Sequence, residues 1–143
     1  MQIQSPSFSQ DRPIPSKFTC DGENINPELL IADVPENALS LALIFDDPDS
    51  PSGTWTHWTV WNIDPKISSI AENSIPGIEG VTSFGDVKYG GPCPGSGEHR
   101  YVFKLYALDA KLELESGADV NALLKSMEGH ILEQAEVMGV YAR

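Results

Sequence analysis

Basic residues are scarce in this chain: 9 Lys and Arg stand against 21 Asp and Glu, a formal net charge of −12. The few cations are scattered rather than clustered. Such a surface repels nucleic acid and anionic lipid at long range, which excludes both as primary partners. Any anion the protein binds must therefore be held by a local group of donors, against the field of the whole molecule. Cysteine is nearly absent as well. Cys20 and Cys93 are too few for a disulfide framework and lack metal-ligand spacing. Two free thiols in a reducing compartment are the expectation, with a bridge between them left open. No apolar run approaches the roughly 18 residues that a membrane helix needs, so no integral membrane contact is expected. The opening MQIQSPSFSQ has neither a basic start nor an apolar segment. It shows no secretory signal and points to the cytoplasm.

Proline and glycine, by contrast, are frequent, and they punctuate short apolar runs in a β-rich pattern. The 143 residues suit one domain, 1–143, with a single substantial core. Leu39–Phe45, His57–Ile63 and Arg100–Leu108 are the central strands, with weaker strands over Ile3–Ser5, Leu29–Ala32 and Gly80–Phe84. After Gly117, residues Val120, Leu123, Leu124, Met127 and Ile131 follow the spacing of an amphipathic helix, and Asp119 is a fitting N-cap. Gly129 ends or bends that helix before a second one over His130–Glu136. The segment Met138–Ala142 reads as extended. The fold class is mainly β: a mostly antiparallel sheet domain with two C-terminal helices.

Two loops carry the polar chemistry. Asp46-Asp47-Pro48-Asp49-Ser50-Pro51 closes the first central strand, and His57 opens the second. A short connection favours antiparallel pairing, which sets Asp47, Asp49 and His57 at one end of the sheet. The stretch YGGPCPGSGEHRY (89–101) delivers His99 to the start of the third strand. Its glycines permit turns that aim successive amide N–H groups into an anion nest. A strand follows it, so it is neither a P-loop nor a dinucleotide fingerprint, both of which need a helix next.

Each residue also has a plainer role. Asp47 and Asp49 can serve local turns, each histidine can be a hydrogen-bonded structural residue, and Trp55, Trp58 and Trp61 can be core or pocket wall. The coincidence of two carboxylates and two imidazoles favours a shared pocket. His130 lies apart and reads as structural, and Cys93 has no basic neighbour to activate it. Two His with a carboxylate resemble a metal triad, but no H-x-H or H-x-x-x-H pair exists. The D-P-D-S-P run lacks the glycine and distal glutamate of a calcium loop. Ser50 or Ser96 with a histidine and Asp47 could make a hydrolase, although no G-x-S-x-G elbow is present. A binding protein is favoured over an enzyme.

With these motifs assembled, the chain resembles the phosphatidylethanolamine-binding protein family, in its compact prokaryotic, Raf kinase inhibitor-like branch. The matching stretches are FTCDGENINPEL (18–29), DPDSP (47–51), GTWTHWTVWNI (53–63), GGPCPGSGEHRYVFKLYAL (90–108) and MEGHILEQAEVMGVYAR (127–143). The resemblance implies a large central sheet flanked by a smaller one, with C-terminal helices and a pocket for phosphate-type anions or phospho-head groups. No cofactor and no metal are expected. Asp47, His57, His99 and Tyr101 match the family's central pocket positions, and Asp49, Pro51, Trp55, Gly91 and Pro92 match the surrounding ones. Phosphate oxygens would accept hydrogen bonds from His57, His99, the Tyr101 hydroxyl and amides near Gly91. Asp47 would orient a histidine or meet a cationic head group. An acidic neighbour raises a histidine pKa and burial lowers it, and the sequence leaves the winner open. A regulatory role through a protein partner, and a homodimer, are both compatible with this reading.

Overall fold

Ser40–Asp47 carries the apolar run Leu41–Phe45 and is buried at every position, and it forms the centre of a five-stranded sheet. The computed structural model describes residues 1–143. In chain order the strands are β1 (Gln2–Gln4), β2 (Leu29–Ala32), β3 (Ser40–Asp47), β4 (Trp55–Ile63), β5 (Ser69–Ile70), β6 (Ile78–Glu79), β7 (Glu98–Leu108) and β8 (Ile131–Ala142). One helix, α1 (Val120–Met127), stands between β7 and β8. The large sheet has the order β6-β4-β3-β7-β8, the small one β1-β2-β5, and every strand pair is antiparallel.

The two faces of the large sheet are buried differently. On one face, Leu41, Leu43, Phe45, Trp58, Val60, Phe103 and Leu105 pack against Ile3, Leu29, Ile31 and Ile70 of the small sheet and against Phe8, Ile14 and Phe18. On the other, Ala42, Ile44, Trp61 and Leu108 meet Leu123 and Met127 of α1. Asp119 caps that helix as its sequence predicts, accepting a hydrogen bond from the Ala122 amide at 2.9 Å.

Three expectations are corrected. The second C-terminal helix does not form, and His130–Glu136 belongs to the turn and to β8. The segment LEQAE has good helical propensity, but β8 pairs with β7 along its length, from Glu98↔Ala142 to Leu108↔Ile131. That ladder turns Ala135, Val137 and Tyr141 toward the main core. Tertiary pairing overrides local preference here. Gly139 is required at its place, because a Cβ there would lie 2.5 Å from Ile14 Cγ1. The strand expected at Gly80–Phe84 shifts to Ile78–Glu79, and residues 82–85 form a turn closed by Gly85 N–H to the Thr82 carbonyl.

The third correction concerns the cysteines, which are not free: Cys20 and Cys93 form a disulfide. The segment around Cys20 is laid against residues 89–93 by three contacts. The Cys20 amide donates to the Pro92 carbonyl, the Gly91 amide to Asn24 Oδ1, and the Tyr89 hydroxyl to the Phe18 carbonyl. They hold the two Cα atoms 5.5 Å apart, within bonding range. Reducing the bridge, which spans 73 residues, should lower the unfolding free energy by about 2–4 kcal/mol. Denaturation with and without reductant measures this, and an unchanged midpoint would show that the surrounding hydrogen bonds suffice.

Candidate functional site

The C-terminal end of β3 and the N-terminal ends of β4 and β7 meet at one edge of the large sheet. Alternation along β3 sends Asp46 to the helix side, where it pairs with Lys104 at 2.9 Å. Asp47 turns to the opposite face. On β4, simple alternation would separate His57 from Trp58. However, Phe45 pairs with Trp58 and Asp46 with Thr56, so His57 is the extra residue of a β-bulge. The bulge puts His57 on the same face as Trp58, 5.5 Å from the Phe45 ring and 5.3 Å from the Tyr101 ring. On β7, His99 and Tyr101 share that face two residues apart.

Together these side chains line a cavity of about 200 Å³, completed by Ser50, Pro51, Trp55, Phe84, Cys93, Pro94 and Gly95. Its floor is deeply buried: Asp47 is 4% exposed, His57 2% and Tyr101 0%. Asp47 accepts from its own turn and from the next strand. Its Oδ1 takes the Asp49 amide at 2.8 Å, and its Oδ2 lies 2.7 Å from His99 Nδ1. His57 Nδ1 lies 2.7 Å from the Gly90 carbonyl. The Tyr101 hydroxyl stands beside the Asp47 carboxylate and the Cys93 backbone but makes no well-formed hydrogen bond with either. Burial pushes the His57 pKa below the ordinary histidine value, outweighing the Gly90 carbonyl and the Asp47 charge, which act the other way. Burial, reinforced by negative Asp47, pushes the Tyr101 hydroxyl up, so it keeps its proton.

A family model described as phosphatidylethanolamine-binding protein matches residues 4–142. The chain belongs to this family. A UPF0098 protein of Methanothermobacter thermautotrophicus is 47% identical over 100% of this chain and 99% of its own. A crystal structure described as a phosphatidylethanolamine-binding protein homologue of Chlamydia trachomatis superposes with a TM-score of 0.96. It is 44% identical and covers 99% of this chain and 97% of its own. YbcL of Escherichia coli, described as a member of the mammalian family, gives 0.91 at 28% identity, over 99% and 98%.

Within the family fold, the residues expected at the site divide into two groups. Asp47, Pro51, Trp55, His57, His99 and Tyr101 line one cavity. Asp49, Gly91 and Pro92 stand behind its walls. Asp49 clamps the β3–β4 loop to β7, meeting Arg100 at Nη2 (2.7 Å), Nε (2.9 Å) and the backbone amide (2.9 Å). These contacts hold its carboxyl at about 2. Gly91 allows a close approach: a Cβ there would lie 2.1 Å from the Phe18 carbonyl oxygen. Its amide is spent on Asn24, and the Gly90 amide on the His57 carbonyl. The anion nest expected from these glycines therefore has no free donors at Gly90 or Gly91.

Sequence reasoning missed Phe84. Its ring meets those of Trp55 and His57 edge-on, at 5.5 and 5.2 Å. It rests directly on Gly90, where a Cβ would come within 2.6 Å of it. Only the exposed aromatic in the turn VTSFG (81–85) hints at this role. Neither Ser50 nor Ser96 is hydrogen-bonded to a histidine; Ser50 faces Ser52 at 3.4 Å. His130 pairs with Asp109 at 2.8 Å, away from the cavity. No group of three or more His, Cys, Asp or Glu side chains is placed to hold a metal ion.

The lowered His57 pKa fixes the sign of a pH effect. The unfolded chain takes up this proton more readily than the folded one. The stability contributed by neutral His57 is fully present above about pH 6.5 and is lost as pH falls through the lower folded value. Thermal melting across about pH 8 to 5 should show a decline that His57→Gln makes shallower. An identical decline in the variant would assign it to other groups.

Proposed function

We propose that this pocket binds a small phosphate-type anion or phospho-head group, and that the protein acts by binding rather than by turnover. The observation that carries the reading is the Tyr101 hydroxyl: a buried donor with no well-formed hydrogen bond, beside Asp47, on a residue that lines one cavity with two imidazoles. Buried polar groups are almost always satisfied, so an orphaned donor in a formed cavity is best explained by a ligand. The cavity volume, about 200 Å³, suits a head group rather than a whole lipid. Family membership supports the same class of ligand. No nucleophile–base hydrogen bond accompanies the donors, which favours binding over hydrolysis.

Regulation would follow from occupancy. A partner protein would meet the pocket across its rim, where Phe84 is 43% exposed, and a bound ligand would change the surface it meets. We place the protein in the cytoplasm. The Cys20–Cys93 bridge pulls against that placement, since a reducing compartment opens disulfides. Alkylation of the thiols in intact cells decides between them, and a protein that resists alkylation until reductant is added would contradict the cytoplasmic placement.

Calorimetric titration with inorganic phosphate tests the binding reading. Tyr101→Phe, which removes the hydroxyl and little volume, should weaken binding about tenfold or more, and His99→Ala should weaken it with the fold intact. Phosphate heats equal to the buffer blank for the unaltered protein would overturn the proposal.

A further inference from the structure

The hydrogen-bond partners of the two histidines settle more than their orientation. A carbonyl oxygen can only accept, so His57 Nδ1 must donate to Gly90. An ionised carboxylate can only accept, so His99 Nδ1 must donate to Asp47. In the neutral rings both protons are thereby placed on Nδ1, and each Nε2 is left as a lone pair with no protein donor to meet it. The side chains lining the pocket then offer the donors Tyr101, Ser50 and Trp55 at its walls, while the two imidazoles and Asp47 present acceptors.

Its charge agrees with that count. The cavity lining contains a carboxylate, Asp47, and no Lys or Arg. The nearby cations are engaged elsewhere. Arg100 is held by Asp49, Lys104 pairs with Asp46 on the opposite face, and Arg143 reaches the Cys93 sulfur while paired with Asp21 at 3.3 Å. A fully ionised dianion would thus enter beside a buried negative charge, with bare lone pairs facing its oxygens.

We infer that the pocket recognises its anion by hydrogen that the ligand itself carries: it takes a monoanionic, hydroxyl-bearing phosphate-type group and discriminates against sulfate and phosphodiesters. This rests on the anion-binding reading above and narrows it. A P–OH of the ligand donates to His57 or His99 Nε2, and dihydrogen phosphate, with two, can meet both, while an unprotonated oxygen accepts from the Tyr101 hydroxyl. Sulfate at neutral pH carries no hydrogen, and a phosphodiester carries the right charge but no hydrogen. The titratable groups sharing the pocket with His57 are Asp47 from β3 and His99 and Tyr101 from β7. The loops contribute the Phe84 ring and the Gly90 carbonyl, which do not titrate, and Tyr89 lies behind Phe45.

Competition calorimetry on the intact, oxidised protein tests this with inorganic phosphate, sulfate and dimethyl phosphate, the last matching the charge of dihydrogen phosphate without its hydrogens. Phosphate should bind about tenfold or more tighter than either. Two buffers of different ionisation heat should report proton uptake on binding above the ligand's second pKa. Methylphosphonate and its difluoro analogue, whose second pKa values differ, should lose affinity at correspondingly different pH. Equal binding of phosphate and dimethyl phosphate would overturn the inference and leave anion binding standing. A common pH midpoint for the two phosphonates would also overturn it, because the proton would then reside on a histidine. Failure of all three anions to bind would overturn both.

Discussion

The site depends on one buried carboxylate. Asp47 is almost wholly removed from water, and each of its oxygens has a separate task. One closes its own turn through the Asp49 amide, and the other receives His99 Nδ1 from the neighbouring strand. A carboxylate in this position is tolerable only when hydrogen-bonded. Its two partners are therefore held as firmly as it is. The turn shape sets Ser50 and Pro51 along one wall, and the ring orientation of His99 follows from the second bond. Its negative charge stands in a lining without Lys or Arg, which is the basis of the proposed ligand selectivity.

Around that carboxylate, the pocket is built mostly from constraints that act at a distance. The β-bulge at His57 brings a residue of the wrong parity onto the pocket face. The disulfide and the Asn24–Gly91 bond hold the 89–95 segment as a wall. The Asp49–Arg100 clamp fixes the turn to β7. Phe84 leans over the opening because Gly90 has no side chain to prevent it. Each contributor lies on a different element, so the cavity requires the whole edge of the sheet to be in place. This matches the general use of rigid sheets to carry binding loops.

Much of this was legible in the sequence because it rests on local chemistry. The apolar runs of β3, β4 and β7, the Asp119 cap, and the meeting of Asp47, His57 and His99 at strand ends follow from periodicity and short connections. What escaped is what partners decide. The segment LEQAE is helical by propensity and becomes strand because β7 is there to pair with it. The cysteines are 73 positions apart, and only the loop-to-loop hydrogen bonds reveal that they adjoin. A one-residue bulge leaves no mark on composition, so the route by which His57 reaches the pocket face was invisible. The glycine-rich stretch 89–101 invited the idea of free amides, whereas its amides at Gly90 and Gly91 are spent inside the protein. Family membership supports the proposed ligand class, and the donors and acceptors of the pocket are the basis for narrowing it.

The central claim is that Asp47 and the Gly90 carbonyl fix the proton positions of the two pocket histidines. Nitrogen-15 NMR of histidine-labelled protein reads this directly, since protonated and bare ring nitrogens resonate far apart. At a pH where the rings are neutral, the account predicts protonated Nδ1 and bare Nε2 for both His57 and His99. Asp47→Asn, which can donate as well as accept, should loosen the assignment at His99 alone. Protonated Nε2 in the unaltered protein, at either ring, would contradict the account.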